Sequence, residues 1–274
     1  STAKFMNGTL KAADYNGLVQ VAHTYGDVTF ENFNVDAREN SYAQIAVEPD
    51  CGTLNITGNS SILAREGMTG LYVAFWHTAT YDGTTVNVNT TGKITGKLVY
   101  EFDEDMTGDA AATENKAVLN ITNGNFEITE IKTLFSGVTN EALKKEKITV
   151  NGGTFSRDVS AYAADNTPVA SNNGTYYVGE ETIQNAANNL SAGQQLKIEK
   201  GAVTINGAEY RAGGNATYTK PSSGGYYYYH PTTDTKADDT KGSPKTFDAG
   251  VGIYAVTAVL SVTGMAWTAK KRGN

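Results

Sequence analysis

At 274 residues the chain has room for one large domain or two small ones, and its formal charge of −7 argues against a nucleic-acid partner. A single cysteine, Cys51, excludes an intramolecular disulfide and a cysteine metal site. Abundant glycine (29 residues), scarce proline (5) and conspicuous Asn and Thr fit many short strands joined by tight turns.

The chain opens at Ser1 without an initiator Met or a signal-peptide pattern, as expected of a processed form or a fragment, and Lys4 to Leu10 reads as a strand. An imperfect repeat follows. Its copies are Leu54-Asn55-Ile56-Thr57-Gly58, Val86-Asn87-Val88-Asn89-Thr90, Leu119-Asn120-Ile121-Thr122-Asn123 and Ile148-Thr149-Val150-Asn151-Gly152, with a weaker one at Val28-Thr29-Phe30-Glu31-Asn32. Successive copies start 26, 32, 33 and 29 residues apart, and each is followed by a further apolar residue: Phe33, Ile62, Ile94, Phe126 and Phe155. The alternation has period two, so positions one and three of each copy face a core and the Asn or Thr between them faces outward. Gly, Asn or Thr at position five lets the chain turn a corner. A strand recurring about every thirty residues predicts one coil of a parallel β-helix per repeat, because a single coil cannot bury its own apolar edge and a stack can. Asn55, Asn87 and Asn120 would then form a ladder. Period-two strands alone leave an antiparallel sandwich open as the alternative.

Within the repeats, Gly70 to Thr80 places Leu71, Val73 and Phe75 toward the core and Tyr72 and Trp76 outward, beside His77 and Tyr81. Exposed aromatic rings on a strand can stack on the apolar faces of sugars, so Tyr72, Trp76, His77 and Tyr81 are the candidate glycan platform. For a glycan-cleaving enzyme the nearest carboxylates are Asp103, Glu104 and Asp105, with Asp82 a weaker partner. A three-acid run of this kind is ordinarily a solvated loop. His23, His77 and His230 lie far apart without metal-ligand spacing, and no nucleophile elbow, phosphate loop or zinc-protease motif is present; no metal site and no cofactor are expected.

The segment Ile148-Thr149-Val150-Asn151-Gly152-Gly153-Thr154-Phe155-Ser156-Arg157-Asp158-Val159-Ser160-Ala161-Tyr162, with Gly174-Thr175-Tyr176-Tyr177-Val178 after it, resembles the end-of-helix segment of β-helix surface proteins from gut Gram-positive bacteria. That resemblance implies an all-β, right-handed parallel β-helix over residues 1–178 and implies no particular activity. The Asn-Thr-Asp and Gly-His-Gly motifs of polygalacturonase-like enzymes are absent. Residues 179–210 read as a small α+β cap, with a helix from Thr182 to Leu190 N-capped by Thr182 and a strand pair formed by Gln195 to Glu199 and Ala202 to Asn206. Residues 211–242 lack periodicity and read as a flexible stalk, interrupted by the Tyr226 to Tyr229 run and His230.

The end of the chain, residues 243–274, has three segments. Ser243-Pro244-Lys245-Thr246-Phe247-Asp248 precedes an uncharged span, 249–269, and the basic tail Lys270-Lys271-Arg272 follows it. As a helix the span is about 31 Å long, close to the hydrocarbon thickness of a bilayer. Its six aliphatic residues Val251, Ile253, Val256, Val259, Leu260 and Val262 contribute only about −2 to −4 kcal/mol to insertion. Such a span suits temporary retention, and the basic tail resists crossing. The layout resembles the sorting signals of Gram-positive surface proteins, in which a sortase cuts after Thr and joins it to the wall. Pro244, Lys245 and Thr246 match that pattern, whereas Phe247 stands where the family usually has Gly and Ser243 where many members have Leu. The resemblance implies the surface of a Gram-positive bacterium, with membrane, sortase, peptidoglycan and host or bacterial glycans as partners. The expected function is therefore adhesion or glycan binding without catalysis by an anchored β-helix. The alternatives are a structural stalk displaying an N-terminal domain and a polysaccharide lyase or glycoside hydrolase.

Overall fold

The period-two segments form strands that stack in parallel. The computed structural model describes residues 2–14, 16–75, 83–102, 108–114, 116–134 and 137–222. Ten strands make the stack: β1 (Thr2–Lys11), β2 (Gln20–Tyr25), β3 (Asp27–Asp36), β4 (Ile45–Gly58), β5 (Ile62–Leu63), β6 (Thr69–Phe75), β7 (Thr84–Phe102), β8 (Val118–Leu134), β9 (Ile148–Val150) and β10 (Gly153–Phe155). Every pairing among them is parallel. Together they form a β-solenoid of about five turns, which settles against the antiparallel sandwich.

The register explains the repeat. Val28, Leu54, Val86, Leu119 and Ile148 follow one another from coil to coil, as do Phe30, Ile56, Val88, Ile121 and Val150. All ten are buried, and each contributes about 1.5–3 kcal/mol of apolar burial. A second inward column runs Val35, Ile62, Ile94, Phe126 and Phe155. In the first coil its member is Val35 rather than Phe33, which pairs with Gly8 of β1 and packs against the rings of Phe5 and Phe30. A third column contains Val47, Leu71 and Leu98, each buried. On the outside, Asn87 donates to Asn55 (3.0 Å) and Asn120 donates to Asn87 (3.1 Å), the expected amide ladder.

Close stacking leaves little room at the corners. Gly52 has φ +76°, and a Cβ there would lie 2.4 Å from the backbone carbon of Gly26 in the coil below. Glycine is required by conformation and by space at once. Two short helices decorate the stack, α1 (Gly108–Glu114) and α2 (Glu141–Lys147). The Asn140 side chain caps α2 by accepting from the Ala142 amide.

Beyond β10 the rule changes. The strands β11 (Val169–Asn172) and β12 (Thr175–Val178) form a hairpin, and β12 runs antiparallel to β10. A helix, α3 (Glu180–Asn189), then leads to β13 (Gln195–Lys200), β14 (Ala202–Ile205), β15 (Ala208–Arg211) and β16 (Thr217–Thr219). Ile183, Ala187, Leu196, Ile198, Val203, Ile205 and Tyr218 bury a second core. Three sequence expectations are revised here. The helix starts at Glu180 behind Gly179 (φ 88°), without a side-chain cap, so Thr182 lies inside its first turn. β13 pairs with β11 and β16, and β14 pairs with β15, so the two expected partners are not paired with each other. Gly201 (φ +71°) sits between them and redirects the chain. Finally, the fold continues past residue 210, since Tyr218 is 3% exposed within the second core.

Candidate functional site

Tyr72 is the member of the expected platform that the described residues include. Its neighbours Leu71 and Val73 on β6 are buried against the columns through Val47 and Tyr100. Alternation therefore turns Tyr72 outward, where it is half-buried. Its hydroxyl donates to Glu101 Oε2 at 2.6 Å, from β6 to β7. A short bond to a carboxylate fixes the ring in one orientation. Trp76, His77 and Tyr81 lie outside the described residues, as do Asp82, Asp103, Glu104 and Asp105. So do Ser243 to Asp248, the span 249–269 and Lys270 to Arg272. Among the described residues, no helix is long and apolar enough to cross a membrane.

The structure also assembles a group that the sequence spacing hides. His23 on β2 stands opposite Glu48 on β4, and a register shift between Thr24 and Tyr25 leaves Asp50 as the extra residue on β4. His23 Nε2 and Asp50 Oδ2 are 2.8 Å apart. The donor atoms of His23, Glu48 and Asp50 all lie within 4.8 Å of one another. Glu48 is 3% exposed, whereas His23 is open to solvent at its edge. The Tyr25 ring packs 4.6 Å from the imidazole. The neighbouring Asp50 carboxylate, with burial behind it, holds the Tyr25 hydroxyl above the ordinary tyrosine range. His23 lies one coil before Glu48 and Asp50, which share β4. The repeat alone, with its offset of 26 between Val28 and Leu54, would put residue 23 beside residue 49; the register shift after Thr24 places it beside Glu48 instead. Glu48 and Tyr72 each follow the Val47–Leu71 pair by one position, so the His23 group and Tyr72 belong to the same outer face.

Two cavities accompany these residues. One, of about 450 Å³, is apolar and lined by Phe5, Leu10, Val21, Val28, Phe30 and Phe33. The other, of about 600 Å³, is basic and carries Lys144, Lys145 and Lys200 beside Tyr162. The Lys200 ammonium donates to the Ala163 carbonyl, which ties the floor of this cavity to the second core. The chemistry on offer is stacking, hydrogen bonding and cation or anion capture by fixed side chains. No protein-family model, no curated protein and no solved structure matches this chain.

Proposed function

We propose that this chain is a cell-surface β-solenoid that binds glycan without catalysis. The observation that carries the reading is Tyr72, an outward tyrosine on a rigid strand whose hydroxyl is pinned by Glu101 at 2.6 Å. Pre-organised aromatic rings bind sugars well because little side-chain freedom is lost on contact. In this reading Trp76, His77 and Tyr81 complete the platform. The coil is right-handed, following the strong preference of parallel crossovers. Residues 179–219 cap its C-terminal end, and residues 223–242 are a stalk. Pro244-Lys245-Thr246 and the span 249–269 with Lys270-Lys271-Arg272 act as a sortase-type sorting signal or a single-pass anchor on a Gram-positive surface.

A glycan array probed with the full chain tests this. Binding is expected to be lost in Tyr72→Ala and Trp76→Ala and retained in Tyr72→Phe, which keeps the ring. A second reading, the structural stalk, is favoured by the Asn55–Asn87–Asn120 ladder, where outward amides bond to one another rather than waiting for a ligand. A chain that melts cooperatively yet binds no glycan would support the stalk and overturn the platform.

A further inference from the structure

We infer that His23, Glu48 and Asp50 form a binding site for a divalent transition ion of the zinc type. One imidazole nitrogen and two carboxylate oxygens are a ligand set that zinc accepts, and the nitrogen disfavours the hard cations calcium and magnesium. The donors are held by backbone rather than by loops. His23 and Glu48 are directly opposed on adjacent parallel strands, period-two alternation puts Asp50 on the same face as Glu48, and the irregularity after Thr24 leaves Asp50 without a partner on β2. Ligands around zinc stand roughly 3.3–3.5 Å from one another when each bond is about 2.0–2.1 Å. The 4.8 Å envelope of the three atoms admits that arrangement once the 2.8 Å His23–Asp50 contact opens by about half an ångström.

A second observation points to a ligand. Asp50 Oδ1, the oxygen not facing His23, is sealed from solvent and accepts no hydrogen bond. A carboxylate oxygen shut away from water without a donor is unfavourable, and a cation is one of the few groups able to serve it. Two carboxylates so close together add mutual repulsion that a divalent ion reverses. The outer partner is in place as well. The Tyr25 ring packs on the imidazole, 4.6 Å between ring centres, which holds His23 in orientation. On binding, the ion occupies the place between His23 Nε2 and Asp50 Oδ2: a neutral imidazole then carries its single proton on Nδ1, and a protonated one releases its Nε2 proton to solvent. With three protein ligands, a fourth position on the open His23 side stays available to water or an oxygen-rich ligand.

Calorimetric titration of the chelator-treated full chain with zinc chloride tests the site, alongside thermal melts with and without the metal. One equivalent of zinc is expected to bind, with an upward shift in Tm and weaker binding of calcium and magnesium. His23→Gln and Asp50→Asn lose the 2.8 Å His23–Asp50 pair; both are expected to fold, to melt somewhat below the parent without metal, and to weaken zinc binding by at least about tenfold. Zinc binding should survive Trp76→Ala, which separates this site from the glycan platform. Absence of a binding heat and of a melting shift would overturn the proposal and leave a simple His23–Asp50 ion pair. Equal zinc affinity in the parent and both variants would overturn it too, by placing the metal elsewhere.

Discussion

In the solenoid the neighbours of a strand come from the coils before and after it, so β7 is flanked by β4 and β8, whose paired residues Leu54 and Leu119 stand 32 and 33 residues to either side of Val86. In the C-terminal sheet β11 and β12 are joined directly through Asn173 (φ 47°) and Gly174 (φ 79°), and β14 and β15 through Asn206 (φ 51°) and Gly207 (φ 81°). Both pairs are type I′ turns, in which local chain chemistry sets the strand pairing. In the coils no turn does this. Register comes from like residues stacking on like residues, and a one-residue slip would turn every apolar side chain of a coil outward. One region is specified by repetition and the other by its turns, so they should fail differently.

The largest expected loss is in the column that repetition builds. Phe126 is fully buried and stacks on Phe155 with ring centres 4.7 Å apart. Phe126→Ala should cost about 3–5 kcal/mol in denaturant unfolding. Next, Gly52→Ala and Gly207→Ala share a positive φ, +76° and +81°, but only the first meets another coil. Gly207→Ala should cost about 1–2 kcal/mol from backbone conformation alone. Gly52→Ala should cost about 3 kcal/mol or more, since its Cβ would strike the Gly26 backbone. Equal losses would mean that coil contact is not what restricts Gly52. A smaller effect, about 1–2 kcal/mol, is expected for Asn87→Ala, which removes both bonds of the central ladder residue. Asn120→Ala removes one of those bonds and should cost less.

The mildest contrast is in alkaline stability. Burial raises the hydroxyl of Tyr100 in the solenoid well above the ordinary tyrosine range and raises that of Tyr218 in the C-terminal core less. A raised folded-state value means that the folded chain holds its proton longer than the unfolded one. The contribution is thus whole below about pH 10 and is lost as the pH climbs beyond it. Denaturant melts between about pH 9 and about pH 11 should show falling stability, flattened more by Tyr100→Phe than by Tyr218→Phe. Tyr100→Phe also gives up the bond to the Ala117 carbonyl, so its stability at neutral pH should drop as well.

The repeat was legible because its positions alternate strictly: Leu54, Ile56, Val86, Val88, Leu119 and Ile121 each stand in the column that period two assigns them. The outward Asn column was legible for the same reason. What lies between the copies was not. β7 runs from Thr84 to Phe102, and its pairing with β8 shifts register between Asn89 and Lys93 and again between Gly96 and Lys97; a five-residue motif says nothing of that. α2 has an N-cap signal at Asn140, but its seven residues are too few for a periodic pattern. Tyr218 looked like a piece of a polar tail because a strand of three residues shows no alternation, and only the second core explains it. At the site, Tyr72 could be assigned to the outer face from Leu71 and Val73. The His23, Glu48 and Asp50 group could not be found by scanning for adjacent ligands, since its members sit on different coils.

Because every pairing from β1 to β10 is parallel and links one coil to the next, the ladder hydrogen bonds point along the axis of the stack. Tension between the ends of such a chain is carried by these layers in series, not shared among them. The layers should therefore separate in succession, each releasing about 100 Å of slack for a coil of roughly thirty residues. Mechanically the molecule is a stack of sacrificial links. It would lengthen in regular steps under shear and dissipate work long before its covalent chain is loaded.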